Sequence, residues 1–284
     1  MNKYDRRRKY YMVLDCETAT LPFASEYGEA ERKNVAIARP LIYDLGWTII
    51  DNKGNIYARK NYLITETFFV PAVFDTAYYR EKRPLYMEKL AKGEIVQSNW
   101  CDAIHELIED LEAVEAVGAY NAMFDYKKAI PFTDLYISKL YSNSYNDWMQ
   151  MQERICRTIA EGIKFEGKND FDEMNFILRG EKYPMFDLWG LTCNHILNCD
   201  EYKRMCVENN WYTASGKYFP TNAEKAFAFV SSQMDFVEAH TAIEDAEIES
   251  ALFAIIYRKT KGAFEMGIEF FPFRILGKVE NWGG

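Results

Sequence analysis

The chain has 284 residues, of which 49% are hydrophobic, and its formal net charge is −9 at pH 7. This length suits one large domain or two small ones, and the acidic balance argues against tight, nonspecific binding to duplex nucleic acid. Six irregularly spaced cysteines indicate free thiols, and neither a membrane-spanning run nor a signal-peptide pattern is present, so we expect a cytoplasmic protein that does not contact membranes.

Two carboxylates follow the first apolar run. Tyr10–Leu14 predicts a buried strand, and Asp15 and Glu17 come at its C-terminal end. Side chains two residues apart on a strand share a face, so the two acids converge where open α/β sheets hold their ligands. Such a pair is costly to bury unless a cation lies between the acids, which favours a divalent metal site. The spacing is also common by chance, and it occurs twice more in helix-like sequence.

Four more strands are expected after the first. Ile42–Ile50 and Asn55–Ile64 flank the turn sequence Asp-Asn-Lys-Gly, which predicts an antiparallel hairpin. Residues 73–113 have mainly helical periodicity. Two short apolar runs, Ala116–Tyr120 and Tyr183–Leu188, complete the set. The sequence therefore predicts an α/β fold with five strands.

A third carboxylate follows the fourth strand. Asn121 is expected to cap the helix that begins there, and Asp125 then lies near the helix start on the same face. This position is a strand-to-helix junction, so Asp125 is a candidate third carboxylate of the site. Alternatively, Asp125 is an ordinary first-turn acid that complements the helix dipole. Asp187, after the fifth strand, is expected to cap the next helix, with support of a metal ligand as its alternative role.

The stretch Phe236–Ile256 predicts a long amphipathic helix. Thr241 and Glu244 form a capping-box pattern at its start. His240 and Asp245 then occupy the two positions that a staple arrangement brings together in space, so this histidine and this acid can face one crevice. A lone histidine is more often a structural residue, but here its predicted position brings it to an acid.

These segments resemble the DEDDh family of 3′–5′ exonucleases, which belongs to the RNase H-like superfamily. Three blocks carry the resemblance in the family's order, namely LDCETATL (14–21), AYNAMFDYKKA (119–129) and HTAIEDAEIESALF (240–253). A sister branch carries Tyr four residues before the last Asp. Here that position is Thr241, and the histidine stands one residue earlier, as in the DEDDh branch. Ala19 replaces a second Thr that many members carry beside the Glu, but this change removes no ligand.

The resemblance implies a metal-dependent enzyme that releases nucleoside 5′-monophosphates from the 3′ ends of single-stranded DNA or RNA. Its site would consist of Asp15, Glu17, Asp125, His240 and Asp245. Asp15 would bridge two Mg²⁺ or Mn²⁺ ions. Glu17 and Asp245 would hold the ion that activates water, and Asp125 would support the other ion. His240 would act as general base, since its pKa lies near working pH.

The same resemblance implies an RNase H-like five-stranded mixed sheet, with the antiparallel hairpin at one edge and helices on its faces. Substrate contacts are expected from Thr18, Asn121 and Phe124. The sequence leaves the choice between DNA and RNA open, because readout of the 2′-hydroxyl depends on contacts around the loop after Glu17.

We expect a single exonuclease domain over residues 1–284, with a helical insertion at about 132–182 and a C-terminal tail at about 260–284. The insertion contains a predicted helix, Tyr145–Ile163, that either stacks on a flexible substrate strand or simply covers the core. The tail includes the apolar stretch GIEFFPFRIL (267–276). It either docks a replication or repair protein or folds back over its own domain.

Two other functions are compatible with the same residues. One is a phosphodiesterase for cyclic or very short oligonucleotides. The other is a nucleic-acid-binding or docking protein that keeps the fold without the activity. Loss of a ligand would favour the second, but all five positions of the pattern are filled.

Overall fold

A seven-stranded mixed sheet forms the centre of the computed structural model, which describes residues 8–20, 40–142 and 172–282. The strands are β1 (Tyr10–Ala19), β2 (Leu41–Asp51), β3 (Ile56–Ile64), β4 (Val96–Ser98), β5 (Ala116–Ala119), β6 (Asn175–Leu178) and β7 (Glu181–Asp187). Their order in the sheet is β4-β3-β2-β1-β5-β7-β6. β1 is antiparallel to β2 and parallel to β5, and β5 is parallel to β7. The predicted α/β class is therefore confirmed.

The prediction of five strands is wrong, because two short strands at the two edges of the sheet are added. β4 has three residues and lies within residues 73–113, which have mainly helical periodicity. β6 has four residues and lies within the predicted insertion. Strands this short provide too few positions for an alternating pattern to be recognised. Because β4 pairs with β3, the β2–β3 hairpin lies one strand in from the edge.

The described helices are α1 (Thr65–Phe68), α2 (Pro71–Phe74), α3 (Arg83–Ala91), α4 (Trp100–Leu111), α5 (Ala122–Phe124), α6 (Ile130–Ser142), α7 (Leu188–Thr192), α8 (Asp200–Glu208), α9 (Ala223–Ser231) and α10 (Ala242–Thr260). π-Helical turns follow α5 and α7, at Asp125–Ala129 and Cys193–Leu197. Short 3₁₀ turns lie at Arg80–Lys82, Pro272–Leu276 and Val279–Asn281. Within the described ranges, every helix is too short or too polar to cross a membrane.

Helices cover both faces of the sheet, and the alternation of β1 shows how. Met12 and Leu14 belong to the apolar cluster on one face, whereas Tyr11 and Val13 belong to the cluster on the other. β2 is buried along its whole length. The long helix α10 packs across β2 and β1. Because β1, β5 and β7 are parallel, their C-terminal ends lie at the same end of the sheet.

The C-terminal tail packs against its own domain. Gly267 exchanges two backbone hydrogen bonds with β7, at 2.7 and 2.9 Å. Phe264 contacts aromatic rings of β7 and α10, and Leu276 is buried. Phe270 and Phe271 are exposed. Most of the tail thus folds back, as in the second of the two alternatives for it, whereas the helix predicted at residues 145–163 lies outside the described residues.

Candidate active site

The first two acids lie near the carboxyl end of β1. Asp15 and Glu17 share a face of the strand because they are two residues apart. Their partners on β2 are Gly46 and Asp44. The register shifts between Glu17 and Thr18, so the regular pairing of the two strands is interrupted just beyond the acids. β1 continues beyond the acids to Ala19, and both acids are partly open to solvent.

Asp125 reaches the same edge from the neighbouring strand. β5 is parallel to β1, so the carboxyl ends of both strands lie at one edge of the sheet. Asp125 opens the π-helical turn after α5, and its side chain is buried. Its Oδ1 accepts a hydrogen bond from the Cys16 thiol at 2.8 Å. The structure therefore has Asp125 at the strand-to-helix junction that the sequence predicts.

The cap of α5 differs from the prediction. Asn121 is the N-cap residue, but its backbone is left-handed (φ 70°) and its side chain makes no capping hydrogen bond. Asp187 supplies the cap instead, and its Oδ1 accepts from the N–H groups of Ala122 at 3.3 Å and Trp189 at 3.2 Å. Asp187 thus caps α7 as predicted and α5 in addition. The Asp187 side chain therefore bonds to the first turns of both α5 and α7, and α5 directly precedes Asp125.

The start of α10 is docked on β2 by another acid. The Thr241 hydroxyl donates to the Glu244 carboxylate at 2.5 Å, and it accepts no bond from the helix backbone, so the predicted capping box is wrong in its bonding. The N–H of Ala242 donates to Asp44 Oδ2 at 2.9 Å. A side chain of β2 therefore accepts a hydrogen bond from a backbone N–H of the first helical turn, which has no partner within the helix. This contact fixes the first turn of α10, which carries Asp245, against the sheet.

His240 precedes α10 and is held by an aromatic stack. Its backbone is left-handed (φ 51°), and its Nδ1 lies 4.0 Å from Asp245 Oδ2 and 3.8 Å from Glu238 Oε2. The Tyr79 ring stacks on the imidazole, with centroids 4.3 Å apart and planes 15° apart. Lys82 Nζ lies 4.5 Å from the centroid of the Tyr79 ring. Burial and the charge of Lys82 lower the pKa of His240, which favours the neutral imidazole.

All five residues of the predicted site line one cleft of about 280 Å³. The full lining consists of Asp15, Cys16, Glu17, Tyr120, Phe124, Asp125, Asn222, Ala223, Glu238, His240, Asp245 and Glu249. Of the three predicted substrate contacts, Phe124 belongs to this lining. Thr18 and Asn121 are not among the described residues that line it.

Asp125 and Asp245 are buried, whereas Asp15 and Glu17 are partly exposed, and burial and neighbouring carboxylates both raise the pKa of each. Burial is the main cause in every case, and it raises the pKa of Asp125 to about 7 and that of Asp245 to about 8. The pKa values of Asp15 and Glu17 rise well above their usual range, with neighbouring carboxylates adding to the effect of burial. Lys82 offsets part of the charge at Glu17 and Asp245. A bound divalent cation would restore the charged forms.

The donor atoms fit a hard divalent cation. The ligand atoms of Glu17, His240 and Asp245 lie within 4.8 Å of one another. Asp245 Oδ1 is buried and has no hydrogen-bond partner in the described part of the chain, although a buried carboxylate oxygen normally has one. Carboxylate oxygens are the ligands that Mg²⁺ and Mn²⁺ prefer.

Several residues of the cleft escape sequence reasoning. Glu249 has a usable signal, because it follows Asp245 by four residues on the same helix and therefore shares its face. Glu238, in the loop before α10, has no comparable signal. Tyr79 and Lys82 come from a short turn between helices without apolar periodicity. Glu238 is two residues before His240 in the chain, whereas only the tertiary structure brings Tyr79 and Lys82 to His240.

No protein-family model matches the chain, and a search of curated proteins finds no significant match.

Proposed function

We propose that the chain is a metal-dependent 3′–5′ exonuclease of the DEDDh family, built on an RNase H-like sheet. The observation that carries this proposal is the convergence of distant segments. Residues from β1, from the turn after α5 and from the start of α10 line one acidic cleft. They are Asp15, Glu17, Asp125, His240 and Asp245.

The four carboxylates would hold two Mg²⁺ or Mn²⁺ ions. Asp15 would contact both, Glu17 and Asp245 would hold one, and Asp125 the other. When bound, such a pair of ions stabilises the charge on the attacking and leaving oxygens of a phosphodiester. The unpartnered oxygen of Asp245 and the burial of Asp125 and Asp245 support this assignment.

His240 would take the proton from the attacking water. Its lowered pKa keeps the ring neutral, and a neutral imidazole accepts a proton near physiological pH. Nδ1 is the ring nitrogen near Asp245 and Glu238, and two carboxylates favour a proton there. Nε2 is then the acceptor. The stacked Tyr79 ring would hold the imidazole in this orientation.

A single-stranded 3′ end is the substrate that this cleft suits best. Its volume of about 280 Å³ is small, and Phe124 and Tyr120 provide aromatic surface beside the acids. Bases stack on such rings without regard to sequence. The net charge of −9 disfavours a long electrostatic footprint on duplex nucleic acid. We assign the activity to the cytoplasm, because the five described cysteines are free thiols.

Trimming of a 5′-labelled single-stranded oligonucleotide tests the proposal. We expect a ladder that shortens from the 3′ end with Mn²⁺ or Mg²⁺ and an intact oligonucleotide with EDTA. A circular single strand of the same composition is the matched control and should stay intact. DNA and RNA forms run side by side would establish the sugar preference.

The same assay separates the alternatives. Internal cuts in the circle would contradict an exonuclease. Hydrolysis confined to cyclic or dinucleotide substrates would indicate a phosphodiesterase, and binding without hydrolysis at any metal concentration would indicate an inactive binding protein.

A further inference from the structure

Lys82 lies beside the candidate active site but is not among the described residues that line the cleft. It ends the 3₁₀ turn Arg80–Lys82, directly before α3. In the described part of the chain, its ammonium group contacts a backbone carbonyl and an aromatic ring rather than a carboxylate. Both contacts lead to His240.

The first contact of Lys82 restrains the backbone at His240. Its Nζ donates a hydrogen bond to the carbonyl oxygen of Ala239 at 2.5 Å. The hydroxyl of Tyr86, on α3, donates to the carbonyl oxygen of His240 itself at 3.3 Å. The peptide groups before and after the α-carbon of His240 are therefore both held by side chains from one segment.

His240 has a backbone conformation that requires such restraint. Its φ of 51° lies in the left-handed region, which residues other than glycine rarely adopt. A strained residue of this kind persists only where the surrounding structure holds it, and such residues cluster at functional sites. The hydrogen bonds to the two carbonyls supply this restraint at the proposed general base.

The second contact of Lys82 reaches the imidazole through an aromatic ring. Nζ lies 4.5 Å from the centroid of the Tyr79 ring, which is within the range of cation–π attraction. The Tyr79 ring in turn stacks on the imidazole, with centroids 4.3 Å apart and planes 15° apart. Lys82 therefore acts on both the backbone and the side chain of His240, through different partners.

We propose that Lys82 is a positioning residue for His240, which holds the imidazole in its orientation at the cleft before a substrate binds. This inference rests on the proposed role of His240 as general base and extends it to a residue outside the cleft. Because Lys82 acts through His240, Lys82→Met should lower kcat and leave the KM for an oligonucleotide within about threefold of the wild-type value. A small displacement of a catalytic group lowers the rate strongly, so we expect a kcat about 10–100-fold lower.

Lys89→Met is the matched control. Lys89 lies on α3, and its Nζ pairs with Glu244, in the first turn of α10, at 2.7 Å. It therefore connects α3 to the same region as Lys82, but by an ion pair instead of the contacts to Ala239 and Tyr79. Both substitutions remove one positive charge and keep an unbranched side chain. Lys89→Met should keep kcat within about threefold of the wild type.

NMR of the substrate-free protein tests the positioning without any measurement of activity. The chain has three histidines, so selective labelling of His and Tyr rings gives few imidazole signals. The wild type should show an NOE between the stacked rings of His240 and Tyr79, assigned by its loss in His240→Ala. We expect this NOE to disappear in Lys82→Met and to remain in Lys89→Met. Lys82→Arg keeps the charge and the hydrogen-bond donor, so it should restore the NOE and most of kcat.

A double-mutant cycle separates positioning from a direct effect of the Lys82 charge on the acids of the cleft. In the His240→Ala background, Lys82→Met should have no further effect on kcat, because the histidine through which it acts is absent. A fall in kcat of equal size in both backgrounds would show that Lys82 acts without His240 and would overturn the proposal.

Three other results would also overturn the positioning role. They are a wild type without the NOE between His240 and Tyr79, a Lys82→Met variant that keeps it, and an unchanged kcat in that variant. If Lys82→Met does not fold, Lys82→Ala takes its place under the same criteria. A wild type that trims while Lys82→Met keeps the NOE removes the role of Lys82 and leaves the exonuclease standing. A wild type that shows the NOE, loses it in Lys82→Met and trims nothing leaves the positioning standing and removes the exonuclease.

Discussion

The start of α10 packs directly against Gly46 of β2. A Cβ at this position would lie 2.5 Å from Ile243 N and 2.6 Å from the carbonyl carbon of Ala242. Both are backbone atoms, which cannot rotate away as a side chain can. Gly46 is also the register partner of Asp15. The missing side chain therefore lets the turn that carries Asp245 lie against the acids of β1.

Gly46→Ala should displace the candidate site without removing any of its residues. Ordinary contact begins at about 3.4 Å, so the start of α10 must move by close to 1 Å. Overpacking of this kind costs about 1–3 kcal/mol of folding free energy. A displacement of about 1 Å in a catalytic arrangement lowers the rate by roughly 100-fold. We expect Mn²⁺ binding to weaken in parallel, because Asp245 would leave its partners.

Gly180→Ala is the matched control. Gly180 lies in the turn between β6 and β7 with φ +90°, and a Cβ there would meet no atom within 4 Å. This variant should lose about 1–2 kcal/mol of stability through backbone strain alone, and its Mn²⁺ affinity and trimming rate should be those of the wild type. Gly46→Ala with wild-type Mn²⁺ affinity and a rate within threefold of the wild type would refute the role of the close approach.

Three further predictions concern separate parts of the chain. His240→Ala should lower the trimming rate by about 10²–10⁴-fold and keep Mn²⁺ affinity within a few-fold, measured by kinetics and calorimetry; loss of metal binding would make it a ligand rather than the base. Truncation after Lys259 should lower the melting temperature and cause aggregation, because burial of Leu276 alone is worth about 1.5–3 kcal/mol; a soluble, fully active truncation would instead favour a docking tail. Burial raises the pKa of Asp51, but hydrogen bonds led by those from Asn55 outweigh it and lower the pKa to about 2. The charged Asp51 carboxylate therefore stabilises the folded state above the unfolded-state pKa near 4, and this stabilisation is lost as the pH falls towards 2. Urea midpoints of Asp51→Asn and wild type should differ at pH 6 and converge at low pH, and a constant difference would contradict this.

The sequence is informative about the candidate site where local structure decides the position of a side chain. Asp15 and Glu17 share a face because a strand alternates, whatever surrounds it. Asp125 follows a strand that runs parallel to theirs, and parallel strands end at one edge. His240 and Asp245 flank a helix start. The relations within β1 and at the helix start each involve fewer than ten residues, so they can be predicted without knowledge of the packing. The parallel pairing of β5 with β1 joins segments more than a hundred residues apart, and the sequence predicts it only through the expected α/β fold.

Other contacts depend on tertiary structure, which single-sequence patterns do not contain. Asn121 has the right residue type for an N-cap, but Asp187 arrives from a strand more than sixty residues later and takes the bond. Similarly, Asp44 of β2 binds the helix start in place of Thr241. The local preference is real in both cases. In each case an acid that is distant in the sequence accepts the bond at the helix start.

The strands of the sheet also divide into those that local sequence predicts and those that depend on tertiary pairing. The three long strands are predicted from their composition and turn sequence, and all three occur in the structure. β4 and β6 have three and four residues, and each forms only because a longer strand offers an unpaired edge. Their sequence need not alternate to satisfy that edge. Pairing with a neighbour, rather than intrinsic preference, decides such strands.

The most direct test of the proposed chemistry compares the wild type with Asp15→Asn and identifies the products that each releases. Both proteins should be purified in parallel and incubated with Mn²⁺ and a single-stranded oligonucleotide, with mass spectrometry of the products. Asn has the size of Asp but lacks the charge. We predict nucleoside 5′-monophosphates from the wild type and a rate at least about 10³-fold lower from the variant. Equal rates from the two proteins, or nucleoside 3′-monophosphates as the product, would contradict hydrolysis in this cleft.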